Sequence, residues 1–364
     1  MLYTREELCL IWLDSFSGLE YKHKNTLITL AGQDLNAKSL VEKGKDYLLT
    51  TLDAKVYSTL NSALTNEYMS CVLQELEKQG IKCVTIKSKD YPQSLRNIKC
   101  PPLVLYAKGD LGLLNNRLFC IVGSRKSLPL SLALTKDYVN ALIDADFTLV
   151  TGIAQGVDET VLKSTLEKGG KVISVITGGF NNVYPKNNVS LLEKVANEGL
   201  VLSEYPPTVA PMPFMFPVRN RIFAGLSNGV LIVSAGKKSG TLWTADYAVE
   251  YGKDVFAIPY SVGIASGEGC NNLIKQGAIL TDTPSDVLNY YGIEEKKNQV
   301  ENFSPKEKEI IKLLSNGEMH VEKISANLKK RTYEITPLLS VLEIRGVVIK
   351  EGNIYQLARN YSEE

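Results

Sequence analysis

Five glycine-containing loops hold most of the side chains that could do chemistry in this chain of 364 residues. They cover residues 123–126, 151–158, 177–187, 216–221 and 237–241, and glycine allows a ligand to approach the backbone closely. The five loops contain seven basic residues and one acidic residue, Asp158. A polyanion engages many cations, whereas a single nucleotide needs two or three. The basic residues are Arg125, Lys126, Lys186, Arg219, Arg221, Lys237 and Lys238.

The first loop follows the apolar run FCIV at 119–122 and reads GSRK, with a helix-like segment beginning after Pro129. This pattern predicts a strand, a tight loop and a helix. Backbone N–H groups at such a loop and at the helix N-terminus suit a phosphate. Arg125 and Lys126 stand beside it, and we expect the phosphate to belong to a nucleic acid.

Aromatic side chains interleave with the basic residues of the third loop. Phe180 and Tyr184 are suited to stacking on unpaired bases, worth about 1 to 3 kcal/mol each. Single-stranded nucleic acid therefore fits the five loops best. The residues predicted to contact it are Gly123, Ser124, Arg125, Lys126, Gly152, Gln155, Gly156, Gly179, Phe180, Tyr184, Lys186, Asn187, Arg219, Asn220, Arg221, Ser239, Gly240 and Thr241.

Each of these signals also has a plainer explanation. The GSR loop alone could hold a mononucleotide, a loop cation is usually just solvated, and either aromatic could be a packing residue. Arg219 or Arg221 could be engaged in an ion pair with Asp158 or Glu204. Asp158 itself is interpreted as a structural residue at a helix start, with a catalytic acid as the alternative.

The elements that must position these loops recur between residues 118 and 290 as apolar strand, polar loop and amphipathic helix. Continuous apolar runs indicate strands buried on both faces, as in a parallel sheet. We therefore predict an α/β fold with an extended Rossmann-like, doubly wound and mostly parallel sheet. The predicted strands are 119–122, 147–150, 171–176, 200–202, 230–233 and 255–258, preceded by shorter runs at 81–86 and 103–107.

Two further domains are predicted outside this sheet domain of residues 81–290. Residues 1–80 form a small helical domain similar to SAM or helix-hairpin-helix modules, with packing or docking as the alternative role for its Ser17-Gly18-Leu19 turn. Residues 291–303 form a linker. Residues 304–360 follow the winged-helix order of three helices and a β-hairpin.

Composition excludes several classes of protein. The net charge is +1, and residues 117–290 hold fifteen basic and fifteen acidic residues, so any attraction to polyanions is local. Six scattered cysteines and two histidines predict neither a metal site nor a disulfide framework. No apolar run reaches about 18 residues. We expect a cytoplasmic protein without a cofactor and without membrane contact.

Several motifs together resemble the DNA-processing protein family DprA, also called Smf. They are IVGSRK, TGIAQGVDETVLKSTL, GGFNNVYPKNN, LSEYPP, FPVRNRIFAGLSNGVLIV, KKSGTLWTADYA and GCNNLIKQGA. The resemblance implies a dimeric protein that binds and protects incoming single-stranded DNA during natural transformation and helps to load the RecA recombinase, without catalysis. It places Gly123, Ser124 and Arg125 in the family's phosphate-binding loop.

The chain departs from the family pattern at three positions. Leu162 replaces a usual histidine, Ser234 a common acidic residue, and Tyr260 a usual glycine. None of them lies among the basic residues, so we expect DNA binding to be retained, while any role of the histidine is lost.

Two other functions compete with this interpretation. The sheet also resembles nucleotide phosphoribohydrolases, whose loop pairs Gly-Thr with a glutamate three residues on, but Thr244 occupies that position here. No catalytic residue is predicted. Alternatively, the winged module could bind duplex DNA. Residues 301–360 hold only ten basic residues against eight acidic ones, and the basic residues cluster only at 329–331.

Overall fold

The structure, a computed structural model, describes residues 3–16, 18–293, 303–344 and 346–358. The chain divides into two compact units, residues 1–295 and 296–364. The first unit begins with six α-helices, and the fourth of them continues as a π-helix at Leu48–Leu52. These helices are α1 Arg5–Asp14, α2 Tyr21–Ala31, α3 Ala37–Lys43, α4 Lys45–Tyr47, α5 Ala54–Ser62 and α6 Asn66–Lys78.

A nine-stranded sheet forms the centre of this unit, in the order β1-β2-β6-β5-β4-β3-β7-β8-β9. The pairs β1–β2 and β2–β6 are antiparallel, and every other neighbouring pair is parallel. The strands are β1 Lys82–Thr85, β2 Val104–Gly109, β3 Leu118–Val122, β4 Thr148–Thr151, β5 Val172–Val175, β6 Leu200–Ser203, β7 Gly229–Ile232, β8 Asp254–Ala257 and β9 Ile279–Leu280.

The sheet is buried on both faces because helices cover each side. Successive residues of β3 alternate between two hydrophobic clusters, with Cys120 in one and Ile121 in the other, as the period of two requires. Helices α8, α9, α10 and α14 supply one cluster, and α7, α11, α12 and α13 supply the other. Their bounds are α7 Gln93–Arg96, α8 Pro129–Asp144, α9 Val157–Glu167, α10 Val189–Glu198, α11 Met215–Leu226, α12 Leu242–Glu250, α13 Glu268–Lys275 and α14 Pro284–Tyr290.

The chain runs outward from β3 in both directions along the sheet. It passes through β4, β5 and β6 on one side, then returns to β7, β8 and β9 on the other. The predicted α/β fold with a mostly parallel sheet is confirmed, and all six predicted strands of this region are present within one or two residues. Strand β9 was not predicted, because its two residues are too short a run to give a signal.

The N-terminal helices belong to the same compact unit as the sheet. A buried ion pair joins Lys24 Nζ to Asp14 Oδ1 at 2.7 Å, and the hydroxyl of Tyr106 on β2 donates to Asp14 Oδ2 at 3.0 Å. These helices form their own apolar cluster, which includes residues of β1 and β2. The predicted domain boundary at residue 80 stays a prediction, and Ser17 of the predicted turn lies outside the described residues.

The second unit consists of α15 Pro305–Leu314, β10 Met319–His320, α16 Val321–Asn327, α17 Thr332–Ile344, β11 Val348–Glu351 and β12 Ile354–Leu357. Its three antiparallel strands have the order β10-β12-β11. A separate apolar cluster, with Ile310, Ile324 and Leu339 fully buried, holds it together. Most of the predicted linker, residues 294–302, lies outside the described part of the chain.

Candidate nucleic-acid interface

A cleft of about 810 Å³ opens beyond the carboxyl ends of β3 and β7, where the direction of winding reverses. Ligands of open α/β sheets bind at this switch point. Ten of the eighteen predicted contact residues line the cleft, so the fold brings together loops that are far apart in sequence. These ten are Gly123, Ser124, Arg125, Lys126, Tyr184, Arg219, Asn220, Ser239, Gly240 and Thr241.

The loop after β3 is held by hydroxyl groups. The backbone N–H of Ser124 donates to Ser234 Oγ at 3.1 Å, and that of Lys126 donates to Ser124 Oγ at 3.1 Å. Ser127 Oγ donates to the Ser124 carbonyl and lies 2.7 Å from Ser234 Oγ. The Ser124 N–H is therefore used within the protein, and the predicted contact of Ser124 with a ligand stays a prediction.

Arg125 is exposed at the rim of the cleft and contacts aromatic side chains. Its guanidinium lies 5.2 Å from the ring centre of Phe216. The Tyr184 ring meets the same Phe216 ring edge-to-face at 6.1 Å and 82°. Since Tyr184 keeps 49% of its surface exposed, this rim combines a cation with an open aromatic face, as single-strand stacking sites do.

A smaller pocket of about 50 Å³ adjoins the same rim. Gln155 and Thr177 line it together with Arg125, Tyr184 and Arg219. Gln155 is exposed, and its predicted contact with a ligand stays a prediction. The hydroxyl of Thr177 is buried and has no hydrogen-bond partner within the described part of the chain.

Asp158 and Arg219 are two buried groups of opposite charge that line the cleft and interact electrostatically. Burial raises the pKa of the Asp158 carboxyl to about 6, opposed by the Arg219 guanidinium and the Ala154 N–H. Burial lowers the pKa of Arg219 to about 10, opposed by Asp158. Arg219 also donates to the Val175 carbonyl and lies 4.2 Å from the Phe223 ring centre. Both residues line the cleft but are over nine-tenths buried.

Two of the seven predicted cations are thus not exposed. Arg219 is buried beside Asp158 and donates to the Val175 carbonyl. Arg221 makes a two-point ion pair with Glu204 and donates from Nε to the Cys100 carbonyl at 3.0 Å. Burial acts to lower the pKa of Arg221, but the charge and hydrogen bonds of Glu204 have the larger effect, so the net pKa is raised. The prediction that Arg221 contacts a ligand is wrong, whereas its alternative pairing with Glu204 is confirmed.

Three predicted contact glycines have structural roles instead. A Cβ at Gly152 would overlap Asp158 Oδ2, and one at Gly179 would overlap the carbonyl oxygens of Pro206 and Pro207. Gly156 has φ +86°, and a Cβ there would lie 2.5 Å from the Ser124 carbonyl oxygen. Gly152 and Gly179 are buried, so their assignment as ligand contacts is wrong. The missing side chain of Gly156 leaves room for the carbonyl groups of Ser124 and Arg125 in the loop after β3.

Phe180 is also misassigned as a stacking residue. Its ring packs against two apolar clusters, one beneath α8–α10 and the other among the N-terminal helices. Lys186 and Asn187 are exposed, as are Lys237 and Lys238, but none of these four lines the cleft. These four residues lie outside the cleft, so only a ligand longer than the cleft would contact them.

The loop before α12 lines the cleft together with the loop after β3. Asn220 is buried, and its Nδ2 donates to the Gly240 carbonyl at 3.2 Å; the Thr241 N–H donates to Ser239 Oγ at 3.3 Å. Asn220 therefore positions this loop. Thr244, which was not predicted, also lines the cleft. A threonine inside a helix gives no sequence signal of this kind.

The three departures from the family pattern have structural explanations. Leu162 is fully buried in the cluster on the α8 side of the sheet. Ser234 holds the loop after β3 through Ser124 and Ser127. The Tyr260 hydroxyl bonds the Val233 carbonyl and Ser131, and the tyrosine ring occupies the space that a Cβ at Gly267 would need.

No cluster of metal-ligating side chains is found in the described ranges. Over the same residues, no helix has the length and apolar character needed to cross a membrane.

The sequence profile of DNA recombination-mediator protein A matches residues 82–292, from the first residue of β1 to just beyond α14. This match covers more than half of the chain. The chain belongs to this family, DprA/Smf. The DNA processing protein DprA of Bacillus subtilis is 39% identical over 218 residues, which are 60% of this chain and 73% of that protein.

Solved structures of DprA proteins resemble this chain as well. The X-ray structure of DprA from Streptococcus pneumoniae has a TM-score of 0.69 and 31% identity, covering 81% of this chain and 99% of that one. DprA from Helicobacter pylori, solved to reveal its single-stranded DNA binding mode, has a TM-score of 0.53 and 30% identity over 58% of this chain and 95% of its own. Residues 82–292, which the DprA profile matches, contain the whole nine-stranded sheet and every loop of the cleft.

Proposed function

We propose that this protein binds single-stranded DNA in the cleft at the switch point of the sheet. The observation that carries the proposal is the rim where exposed Arg125 lies against Phe216 and beside the open Tyr184 ring. The cation attracts the backbone and the aromatic face accepts an unpaired base. The single-stranded DNA binding mode of the Helicobacter pylori relative supports the same ligand.

The proposed contact set is smaller than the predicted one. It retains exposed and half-buried residues around the cleft and exposed residues that could follow a longer strand. The set comprises Ser124, Arg125, Lys126, Gln155, Tyr184, Lys186, Asn187, Ser239, Gly240 and Thr241.

The test is a titration of fluorescent oligo(dT) with Arg125→Ala and, separately, Lys186→Ala. Each should weaken binding by about tenfold without changing thermal unfolding. Arg117→Ala is the matched control, because Arg117 is an exposed arginine that lies on an aromatic ring but precedes the amino end of β3. Equal losses for all three variants would show general electrostatics, and unchanged titrations would remove Arg125 and Lys186 from the site.

We propose that binding leaves the DNA unaltered. One observation favours an enzyme instead: Asp158 lines the cleft and has a pKa of about 6, a value suited to a general acid. Its burial beside Arg219 and the N–H of Ala154 favours the structural role. Incubation with nucleoside monophosphates should release no free base, and release that Asp158→Asn abolishes would establish the hydrolase.

Partners are proposed from the family. We infer that the protein acts as a homodimer in the cytoplasm, protects DNA during natural transformation and promotes RecA loading. Sedimentation should give twice the chain mass of 40.2 kDa. RecA should coat single-stranded DNA faster when the protein is present, and an unchanged rate would exclude loading.

The second unit is proposed to be a winged-helix module, because its helices and three-stranded sheet follow that order. Its cations cluster at Lys329, Lys330 and Arg331, and Lys329 has φ +51°. Replacing these three residues by alanine tests duplex DNA binding. A loss of duplex but not of oligo(dT) binding in gel shifts would assign duplex binding to this unit. The N-terminal helices are proposed to serve as a packing module.

A further inference from the structure

Five buried side chains in the described residues have a polar atom without any hydrogen-bond partner. Three of them, Thr177, Arg219 and Thr244, line the cleft or the pocket beside it. Buried polar groups are normally paired, so an orphan group that faces a cleft indicates a missing ligand. Thr177 and Arg219 line the small pocket beside the aromatic rim. Thr244 lies beside Ser239, Gly240 and Thr241, for which the proposed contact set names no particular group of the DNA.

Thr244 belongs to the first turns of α12, a helix of nine residues. The side chain is 0% exposed, yet it lines the cleft with Ser239, Gly240 and Thr241. No side chain caps the N-terminus of this helix. The N–H groups of Thr241, Leu242 and Thr244 donate to Ser239 and Thr241 within the protein. The N-terminus of α12 therefore favours an anion through its dipole.

The loop before α12 is held open at this point. Asn220 fixes the Gly240 carbonyl, and Ser239 Oγ accepts the Thr241 N–H. No atom lies within 4 Å of the position of a Cβ at Gly240. Lys237 and Lys238 are exposed in the same loop, and the acidic residue lining the cleft, Asp158, is buried beside Arg219. The wall is therefore accessible to an anion.

We propose that Gly240, Thr241 and Thr244 form a phosphate subsite, in which the Thr244 hydroxyl donates to a phosphate oxygen of the bound strand. This inference rests on the proposed single-stranded DNA binding and adds a second contact point to Arg125 in the same cleft. A strand held at two points would be fixed in position as well as attracted. A free nucleotide carries the same phosphate chemistry.

The experiment compares Thr244→Val with Thr244→Ser in the full chain, titrated with fluorescent oligo(dT). Valine keeps the shape and removes an unpaired hydroxyl, so thermal unfolding should be unchanged or occur at higher temperature. Affinity should nevertheless fall by about tenfold, and serine should restore it. A purely structural threonine would alter unfolding and leave affinity unchanged, which would overturn the proposal.

A second pair of variants does not touch the core. Gly240→Asp places a carboxylate in open space at the subsite and should weaken oligo(dT) binding by about tenfold or more, whereas the uncharged Gly240→Asn should not. Equal affinities of the two variants would overturn the subsite.

The outcomes separate this inference from the proposed function. If Arg125→Ala weakens binding while the Thr244 and Gly240 variants do not, the cleft binds DNA and the subsite is wrong. If Thr244→Val weakens calorimetric binding of thymidine monophosphate but not of oligo(dT), the subsite serves free nucleotides and the strand contact is wrong. If the wild-type chain fails to bind oligo(dT), both proposals fall.

Discussion

Gly152 and Gly240, two glycines of the predicted site, have opposite surroundings. A Cβ at Gly152 would overlap Asp158 Oδ2 and lie 3.0 Å from Arg219 Nη1, whereas one at Gly240 meets nothing within 4 Å. At the residue scale, the same amino acid therefore makes room for a buried pair in one loop and keeps a surface open in the other.

We predict that Gly152→Ala destabilises the protein by about 1 to 3 kcal/mol, because the methyl group must displace the buried pair. Gly240→Ala should leave the free energy of unfolding within about 0.5 kcal/mol of wild type. Chemical denaturation of both variants measures this contrast. Equal stability of the two would contradict the packing around Gly152.

Asp158 predicts a pH dependence of stability. Its pKa is about 6 in the folded protein against an ordinary value of 3.8, so the folded state binds more protons than the unfolded state between these values. Its contribution to the free energy of unfolding is thus full at low pH and is lost as the pH rises through about 6.

The loss should reach about 3 kcal/mol between pH 4 and pH 7, as the difference in unfolding free energy between wild type and Asp158→Asn. Urea denaturation at several pH values measures it. Asp246→Asn, at an exposed position of α12, is the control and should follow wild type in parallel. A parallel profile for Asp158→Asn would refute the assignment.

At the scale of elements, Arg221 joins α11 to two other segments. It pairs with Glu204, which follows β6, and donates to the Cys100 carbonyl before β2. The ion pair is nearly buried, with side-chain exposures of 6% for Arg221 and 16% for Glu204. This bridge holds the helix that carries Arg219 and Asn220 beneath the cleft.

We predict that Arg221→Ala costs about 3 to 5 kcal/mol of stability, because Glu204 is left buried and unpaired. Replacing both residues by methionine should recover most of the loss. Thermal unfolding tests the stability, and oligo(dT) titration well below the melting temperature tests the site. A variant that remains folded but loses DNA binding would restore Arg221 to the contact set.

At the scale of the whole molecule, the small net charge hides a concentration of basic residues in a few loops. The net charge is +1, so the molecule as a whole attracts a polyanion weakly. Five exposed cations nevertheless come from three of the five loops: Arg125, Lys126, Lys186, Lys237 and Lys238. Attraction to single-stranded DNA should therefore come from these five cations rather than from the net charge.

The dependence of oligo(dT) affinity on salt tests this arrangement. If all five cations neutralise phosphates, the slope of log K against log salt should be about −3.5, and Arg125→Ala should reduce its magnitude by about 0.7. Titrations at several salt concentrations measure both values. A slope near zero would mean that the basic loops do not face the DNA.

Much of the fold could be predicted because its signals are local. Continuous apolar runs such as 119–122 identify strands buried on both faces, and the glycine at 123 identifies the loop that follows. The carboxyl ends of parallel strands share one edge, so the sequence alone predicted that Arg125, Tyr184 and Ser239 would lie near one another. The cleft that they line agrees with that prediction.

The tertiary structure alone decided which of those residues are available. Arg219 and Arg221 belong to one motif, RNR, but their carboxylate partners come from α9 and from the segment after β6. Gly179 and Phe180 are covered by remote segments in the same way. Pattern and spacing along a chain specify which side chains a loop carries, whereas burial and pairing depend on neighbours distant in sequence, and these emerge only when the elements pack.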